Sequence, residues 1–228
     1  MKLSLVIPCY NEQEALPRAA PVLEALMDSL VQRGKIAPGS NIWLVDDGST
    51  DSTWELIESL ARRRDLFIGV KLSRNHGHQH ALLAGLLNAD GDAVVSIDAD
   101  LQDDPDAIED MVDAHAAGFQ IVYGVRDSRL TDTWFKRFTA LRYYGLLRLL
   151  GVDIVPNHAD FRLMGRAAIE ALRLHGESNL FLRGIIPRLG FSSTRVYYDR
   201  LERIAGESKY PLGKMIRLAL NGTAARNR

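Results

Sequence analysis

Cysteine is nearly absent. Cys9 is the single thiol among 228 residues, so no internal disulfide braces the chain. It closes the apolar run Leu3–Cys9, where a thiol reads as a small buried hydrophobe, and a reducing compartment agrees with it. An excess of one charge is lacking too. Lys and Arg number 28 against 29 Asp and Glu, a formal net charge of -1, which gives no whole-molecule reason to expect nucleic acid or an acidic partner. No apolar stretch approaches the ~20 residues of a membrane span. Met1-Lys2 runs straight into a strand-like segment, without the apolar region or cleavage site of a secretory signal. Repeats, low-complexity tracts and Pro/Gly/Ser-rich linkers are missing as well. These absences leave one domain over residues 1–228, with 200–228 as a basic C-terminal tail.

What is present is a rhythm. Short apolar runs at Leu3–Pro8, Asn41–Val45, Phe67–Leu72, Asp92–Asp98 and Gln120–Val125 read as strands covered on both faces. Helical spacing fills the intervals at Glu12–Arg33, Ser52–Arg63, Gly77–Asn88 and Pro105–Gly118. Strand and helix in alternation give an α/β fold, a mainly parallel sheet flanked by helices. Further on, the pattern predicts a helix over Thr131–Leu150, a loop over Asn157–Arg162, a helix near Arg166–Leu174, a short apolar piece at Arg183–Leu189 and a strand at Thr194–Tyr198.

The polar clusters fall where strands end, which is where open α/β sheets bind ligands. Asp98-Ala99-Asp100-Leu101-Gln102 follows an apolar strand. Two carboxylates one residue apart can share a hard divalent cation, Mg²⁺ or Mn²⁺. Gln102 can add a neutral oxygen, and a diphosphate can complete the shell. Asp46-Asp47-Gly48-Ser49-Thr50-Asp51 follows another strand. Gly48 permits a positive φ, Ser49 to Asp51 offer helix caps, and one of the aspartates can bond a base N–H or a ribose hydroxyl. An ordinary strand-turn-helix junction explains the glycine and the cap, but not two adjacent aspartates at a sheet edge.

Taken together, Ile7-Pro8-Cys9-Tyr10-Asn11-Glu12, Val45 to Asp51, Leu72-Ser73-Arg74-Asn75-His76-Gly77 and Asp98 to Asp103 resemble the family 2 glycosyltransferases. Ser73-Arg74-Asn75, the Leu101-Gln102 extension, Ala159-Asp160-Phe161-Arg162-Leu163 and Arg203 to Pro211 narrow the resemblance. It is to the polyprenyl-phosphate branch related to dolichol-phosphate-mannose synthase, and it runs from about Lys2 to Gly222. The resemblance implies a GT-A nucleotide-sugar-binding fold and a metal-dependent, inverting hexosyl transfer from a nucleotide-diphosphate sugar to a polyprenyl phosphate such as undecaprenyl phosphate. Pro8, Tyr10, Glu12 and Asp46 would hold the nucleoside, with Asp47 and Asp98 counted in the donor site. Asp100 and Gln102 would ligate the metal with Asp98 close by, and Arg126 would lie along the donor phosphates. Asp160 would act at the acceptor side, with Asp100 the other catalytic carboxylate, and Arg203 and Lys209 would bind phosphate.

Two features depart from the branch. His76 and His80 have the i, i+4 spacing that can hold zinc, yet no nearby Cys or Glu completes a site, so hydrogen bonding at a helix start is the expectation. The branch usually continues into transmembrane helices, whereas this sequence stops at Arg228. Trp134 to Arg148 mixes aromatic and basic residues, and Lys209, Lys214 and Arg217 add charge. That composition suits an anionic membrane surface, although an amphipathic helix with snorkelling arginines has the same composition. The expectation is a cytoplasmic protein, peripheral at the inner face of the cell membrane, and self-association is compatible with it. Two other readings stand beside this one: a family 2 enzyme acting on a sugar hydroxyl, and a sugar-1-phosphate nucleotidyltransferase. The latter would carry a Gly-rich basic loop where Pro8 to Glu12 stands. The sugar and the base stay open.

Overall fold

The computed structural model describes residues 1–126, 158–174, 181–199 and 201. The helix expected over Thr131–Leu150 lies outside the described residues, as do Arg203, Lys209 and the rest of the basic tail. The described chain runs β1 (Leu3–Cys9), α1 (Leu16–Gln32), β2 (Asn41–Asp46), α2 (Thr53–Arg63), β3 (Phe67–Lys71), α3 (His78–Asn88), β4 (Ala93–Ser96), α4 (Ala107–Ala116) and β5 (Ile121–Arg126). It continues with β6 (His158–Gly165), α5 (Arg166–Arg173), α6 (Leu182–Arg188) and β7 (Ser193–Tyr198). One seven-stranded sheet takes the order β3-β2-β1-β4-β6-β5-β7.

Successive residues of a strand face opposite sides, so a strand buried on both faces has to be apolar throughout. In β1, Leu5 and Ile7 join the core layer that includes α1 and α4 residues such as Leu23 and Met111. Val6 between them joins the other layer, with Leu82 of α3, Ile169 of α5 and Ile186 of α6. α3 lies tight on β1 because Gly85 faces the sheet, where any side chain would collide with Val6.

Residues 158–162 differ from the expected loop. They open β6, which runs antiparallel between β4 and β5, with Ser96 opposite Arg162 and Val125 opposite His158. The charged Asp160 and Arg162 argue for a loop on sequence. In the structure they are ion-paired with each other and buried, at 6% and 1% exposure, so a strand accommodates both. The other pairings of the sheet are parallel. The reversal matters for function: the start of β6 shares an edge with the carboxyl ends of β1, β2, β4 and β5. The Arg183–Leu189 piece proves to be α6, and the strands and helices expected over the first 126 residues are present with small shifts of boundary.

Candidate active site

Asp46 is the last residue of β2 and is fully buried. One oxygen, Oδ1, accepts the Ser49 amide at 3.2 Å, while Oδ2 is buried with no hydrogen-bond partner. A buried carboxylate oxygen left unsatisfied is costly unless a ligand completes it. The loop after β2 is laced to the loop after β1: Asn11 N donates to Ser49 Oγ at 2.9 Å and Glu12 N to Thr53 Oγ1 at 2.7 Å. Pro8 and Glu12 are half-buried at this edge, and Tyr10 is exposed. Four of the residues expected to hold a nucleoside therefore lie together at the ends of two adjacent strands.

Asp47, next along the chain, is bonded to the backbone ahead of α3. Its Oδ1 accepts the His76 amide at 2.7 Å and its Oδ2 the Gly77 amide at 2.8 Å. Both oxygens accept amides of the backbone that launches α3, so the side chain positions that helix. The histidine-rich segment is a helix start, as expected. The histidine that reaches the acidic cluster is His78, which neither the zinc spacing nor the resemblance singled out.

Asp98, Asp100 and Gln102 stand on the turn beyond β4. Leu101 is held there at a φ of 44° and is completely buried, so its side chain pins a left-handed backbone conformation that a bulky residue rarely adopts. Gln102 N donates to Asp100 Oδ1 at 3.2 Å. The Asp98 carboxyl is pushed up to about 6 by loss of hydration and then by the carboxylates of Asp160, Asp103 and Asp100, against the pull of His78. The 42% of its side chain that remains exposed tempers that rise. Among the described residues no three His, Cys, Asp or Glu side chains form a ready-made metal cluster. The all-oxygen donors and the mutual repulsion of these carboxylates nevertheless suit a hard cation whose remaining positions go to water or a diphosphate.

Asp160 faces this turn from β6. Around it stand His78 Nε2 at 3.2 Å, Gln79 Nε2 at 3.1 Å, Arg183 Nε at 3.1 Å and the Arg162 guanidinium. Burial pushes its carboxyl up, but the His78 hydrogen bond and the Arg162 and Arg183 charges outweigh that and hold it well below the usual carboxylate range. Burial lowers the His78 imidazole, and its bond to Asp160 with the nearby Asp98 charge more than restores it, leaving it raised. His78 Nε2 also lies 3.9 Å from Asp98 Oδ1, so it bridges the turn beyond β4 and the start of β6. Gln79, Arg162 and Arg183 were likewise missed on sequence. The one available signal was Arg162, directly after Asp160-Phe161 in a quoted motif.

Arg126 ends β5 and is tied to Asp103, with Nε at 2.8 Å and Nη2 at 2.7 Å from Oδ1. It lies at the expected edge with these two nitrogens engaged by protein.

A mainly parallel sheet with acidic turns at its carboxyl edge is the architecture of the GT-A glycosyltransferases. The chain belongs to glycosyl transferase family 2, whose model matches residues 4–173. YkoT, an uncharacterized glycosyltransferase of Bacillus subtilis (strain 168), is 51% identical over 222 residues, 96% of this chain and 66% of the relative. A bactoprenol glucosyl transferase of Shigella phage SfV is 38% identical over 223 residues, 97% of this chain and 71% of the relative. The chain thus spans about two thirds of the length of the curated relatives it matches. Glucosyl-3-phosphoglycerate synthase from Mycobacterium tuberculosis, solved with Mn²⁺, UDP and phosphoglyceric acid, superposes with a TM-score of 0.65 at 19% identity, over 98% of this chain and 76% of that one. The mannosyltransferase PcManGT from Pyrobaculum calidifontis, solved with GDP-Man and Mn²⁺, gives 0.64 at 20% identity, over 100% of this chain and 65% of that one. At such identities the two structures speak for the fold.

Proposed function

We propose that this protein transfers a hexose from a nucleotide-diphosphate sugar to a polyprenyl phosphate, with inversion and with the aid of Mg²⁺ or Mn²⁺. The observation that carries the reading is the convergence at one sheet edge of the unsatisfied Asp46 oxygen, the Asp98–Gln102 turn and the Asp160 cluster. The acceptor class draws support from the bactoprenol glucosyl transferases, and the divalent cation from the Mn²⁺ complexes of the structural neighbours.

Asp46, with Pro8, Tyr10 and Glu12 beside it, receives the nucleoside. Asp98, Asp100 and Gln102 would hold the cation, which when bound offsets charge on the departing diphosphate. A phosphate oxygen of the acceptor forms the new bond to the anomeric carbon, on the face opposite the leaving group. The old C–O bond breaks and its electron pair leaves with the nucleoside diphosphate. A phosphate monoester, with a second pKa near ~6, is already largely anionic at neutral pH. Asp160 fits this chemistry: a carboxylate held ionised by His78, Arg162 and Arg183 is a weak base but a firm anchor for those groups. A sugar hydroxyl, by contrast, would need a base to take its proton.

Among the described residues no helix is long and apolar enough to cross a membrane. The basic and aromatic residues of Trp134–Arg148 and of the tail would meet an anionic membrane at its inner face, where a polyprenyl phosphate presents its headgroup. The test is a panel of UDP- and GDP-hexoses with undecaprenyl phosphate, reading nucleotide release. One donor should give release that depends on the lipid phosphate. Release supported equally by a free sugar acceptor, with none caused by the lipid, would refute the acceptor assignment.

A further inference from the structure

The acidic turn is gripped from one side by the end of β7. Tyr198 donates its hydroxyl to Asp103 Oδ1 at 2.6 Å, the same oxygen that Arg126 engages through Nε and Nη2. Three residues beyond β7 comes a second tie, where the Leu201 amide donates to the Gln102 carbonyl at 3.0 Å. Asp103 is 1% exposed and Tyr198 is 6% exposed. The Tyr198 ring meets Phe161 of β6 edge-on, with centroids 5.2 Å apart. Arg126 and Tyr198 are direct partners at the last rung between β5 and β7. Burial and the adjacent Asp103 carboxylate push the phenol far up, so it stays a donor.

Asp103 follows Gln102 directly and Asp100 by three positions, so whatever fixes Asp103 and the Gln102 carbonyl also fixes where those two side chains project. Packing alone would need only the ring. The hydroxyl is the part aimed at a buried carboxylate, and it adds a donor to an oxygen that Arg126 already engages from the neighbouring strand. We propose that Tyr198 is a positioning residue for the divalent cation, setting the Asp100–Gln102 turn through Asp103. Outer partners of this kind typically change metal affinity by ~10- to 100-fold when removed. The inference rests on the metal-dependent reading above.

Tyr198→Phe keeps the ring and its contact with Phe161 and removes only the hydroxyl. Tyr197→Phe, at a position 61% exposed on the same strand, serves as the control. Mn²⁺ is titrated into each protein with UDP or GDP, whichever the wild type retains, and free Mn²⁺ is followed by electron paramagnetic resonance. Tyr198→Phe should bind Mn²⁺ about 10-fold more weakly, with a modestly lowered unfolding temperature from the lost bond to a charged acceptor and metal-free nucleotide affinity near wild type. The Mn²⁺ concentration for half-maximal transfer should rise in parallel, while kcat at saturating Mn²⁺ stays within about 2-fold. Tyr197→Phe should match the wild type. Unaltered Mn²⁺ affinity in Tyr198→Phe beside a wild type that binds Mn²⁺ overturns the inference alone, as does a lowered kcat that excess Mn²⁺ does not restore. A wild type that binds no Mn²⁺ overturns the metal reading, and the inference with it.

Discussion

Asp47 accepts the backbone amides of both His76 and Gly77, and this pair of bonds ties the nucleotide edge to the Asp160 cluster. The amides belong to the turn that launches α3, and the first residue of α3, His78, reaches Asp160 at 3.2 Å and Asp98 at 3.9 Å. The end of β2 thereby sets the position of a histidine that serves a different strand.

Asp47→Ala therefore lowers both stability and transfer. Each bond to a charged acceptor is worth roughly 1.5–3 kcal/mol, and the two share one side chain, so the expected loss is about 3 kcal/mol. Asp47→Asn, which keeps one acceptor oxygen, should lose less. Urea unfolding of the three proteins checks the order, and an Asp47→Ala protein as stable as wild type would contradict it.

Gly48→Ala tests the same junction from its backbone. Gly48 has a φ of 67°, and an added Cβ would stand 2.5 Å from the Arg74 carbonyl carbon and 2.6 Å from the Asn75 nitrogen. Backbone strain of this kind costs of order 1–3 kcal/mol. Thermal unfolding should show that loss. Nucleotide affinity, read by calorimetry, should fall as well because Asp46 sits two residues away.

The acidic Asp98–Gln102 turn and the Asp46 loop were legible in the sequence because their chemistry is local. A short apolar strand followed by closely spaced carboxylates reads as a ligand edge, and the sheet places Asp46, Asp98 and Asp100 together there. Asp160 and Arg162 misled for a physical reason: two charged residues two positions apart suggest a loop until the ion pair that neutralises them is seen. His78 was hidden among its neighbours, since helical spacing favoured His76 and His80 while the contact that matters spans 82 positions. The bonds from Asp47 to the His76 and Gly77 amides were not legible, because nothing in a sequence shows which distant amides a carboxylate meets.

Acid sensitivity follows from Asp160. Its carboxyl is depressed in the folded state, so the stabilisation it gives is fully present above its unfolded value of about 3.9 and is lost as pH falls through the folded value. Wild-type stability should fall as the pH drops below ~4, and Asp160→Asn should flatten that limb. At pH 7 the variant should be weaker by about 3–5 kcal/mol, because buried Arg162, whose Nε and Nη1 already lack partners, loses its counter-charge. Urea midpoints between pH 3 and 7 measure both effects. An unchanged acid limb in Asp160→Asn would show that other groups govern it.

Arg203 and Lys209 test the phosphate assignment carried by the resemblance. Arg203→Ala and Lys209→Ala should each cut transfer by at least ~10-fold, a lost charged contact of roughly 1.4 kcal/mol or more. Nucleotide affinity should fall less, since the proposed nucleoside site is at Asp46 and its neighbours. Wild-type rates in both variants, with lipid phosphate as acceptor, would remove these residues from the mechanism.

The central claim is metal-assisted hexosyl transfer to a lipid phosphate, and the mass of the lipid product tests it most directly. Purified protein is incubated with undecaprenyl phosphate and the donor chosen by the nucleotide-release panel, in Mn²⁺ or Mg²⁺, and again after exhaustive chelation. The account predicts a product heavier than undecaprenyl phosphate by one hexose residue. That product should disappear with EDTA, return with added metal, and fall far more than ~10²-fold in rate in Asp100→Asn, as expected when a cation supplies several kcal/mol to the transition state. Product formed at full rate after chelation, or donor turned over with the lipid left unmodified, would contradict it.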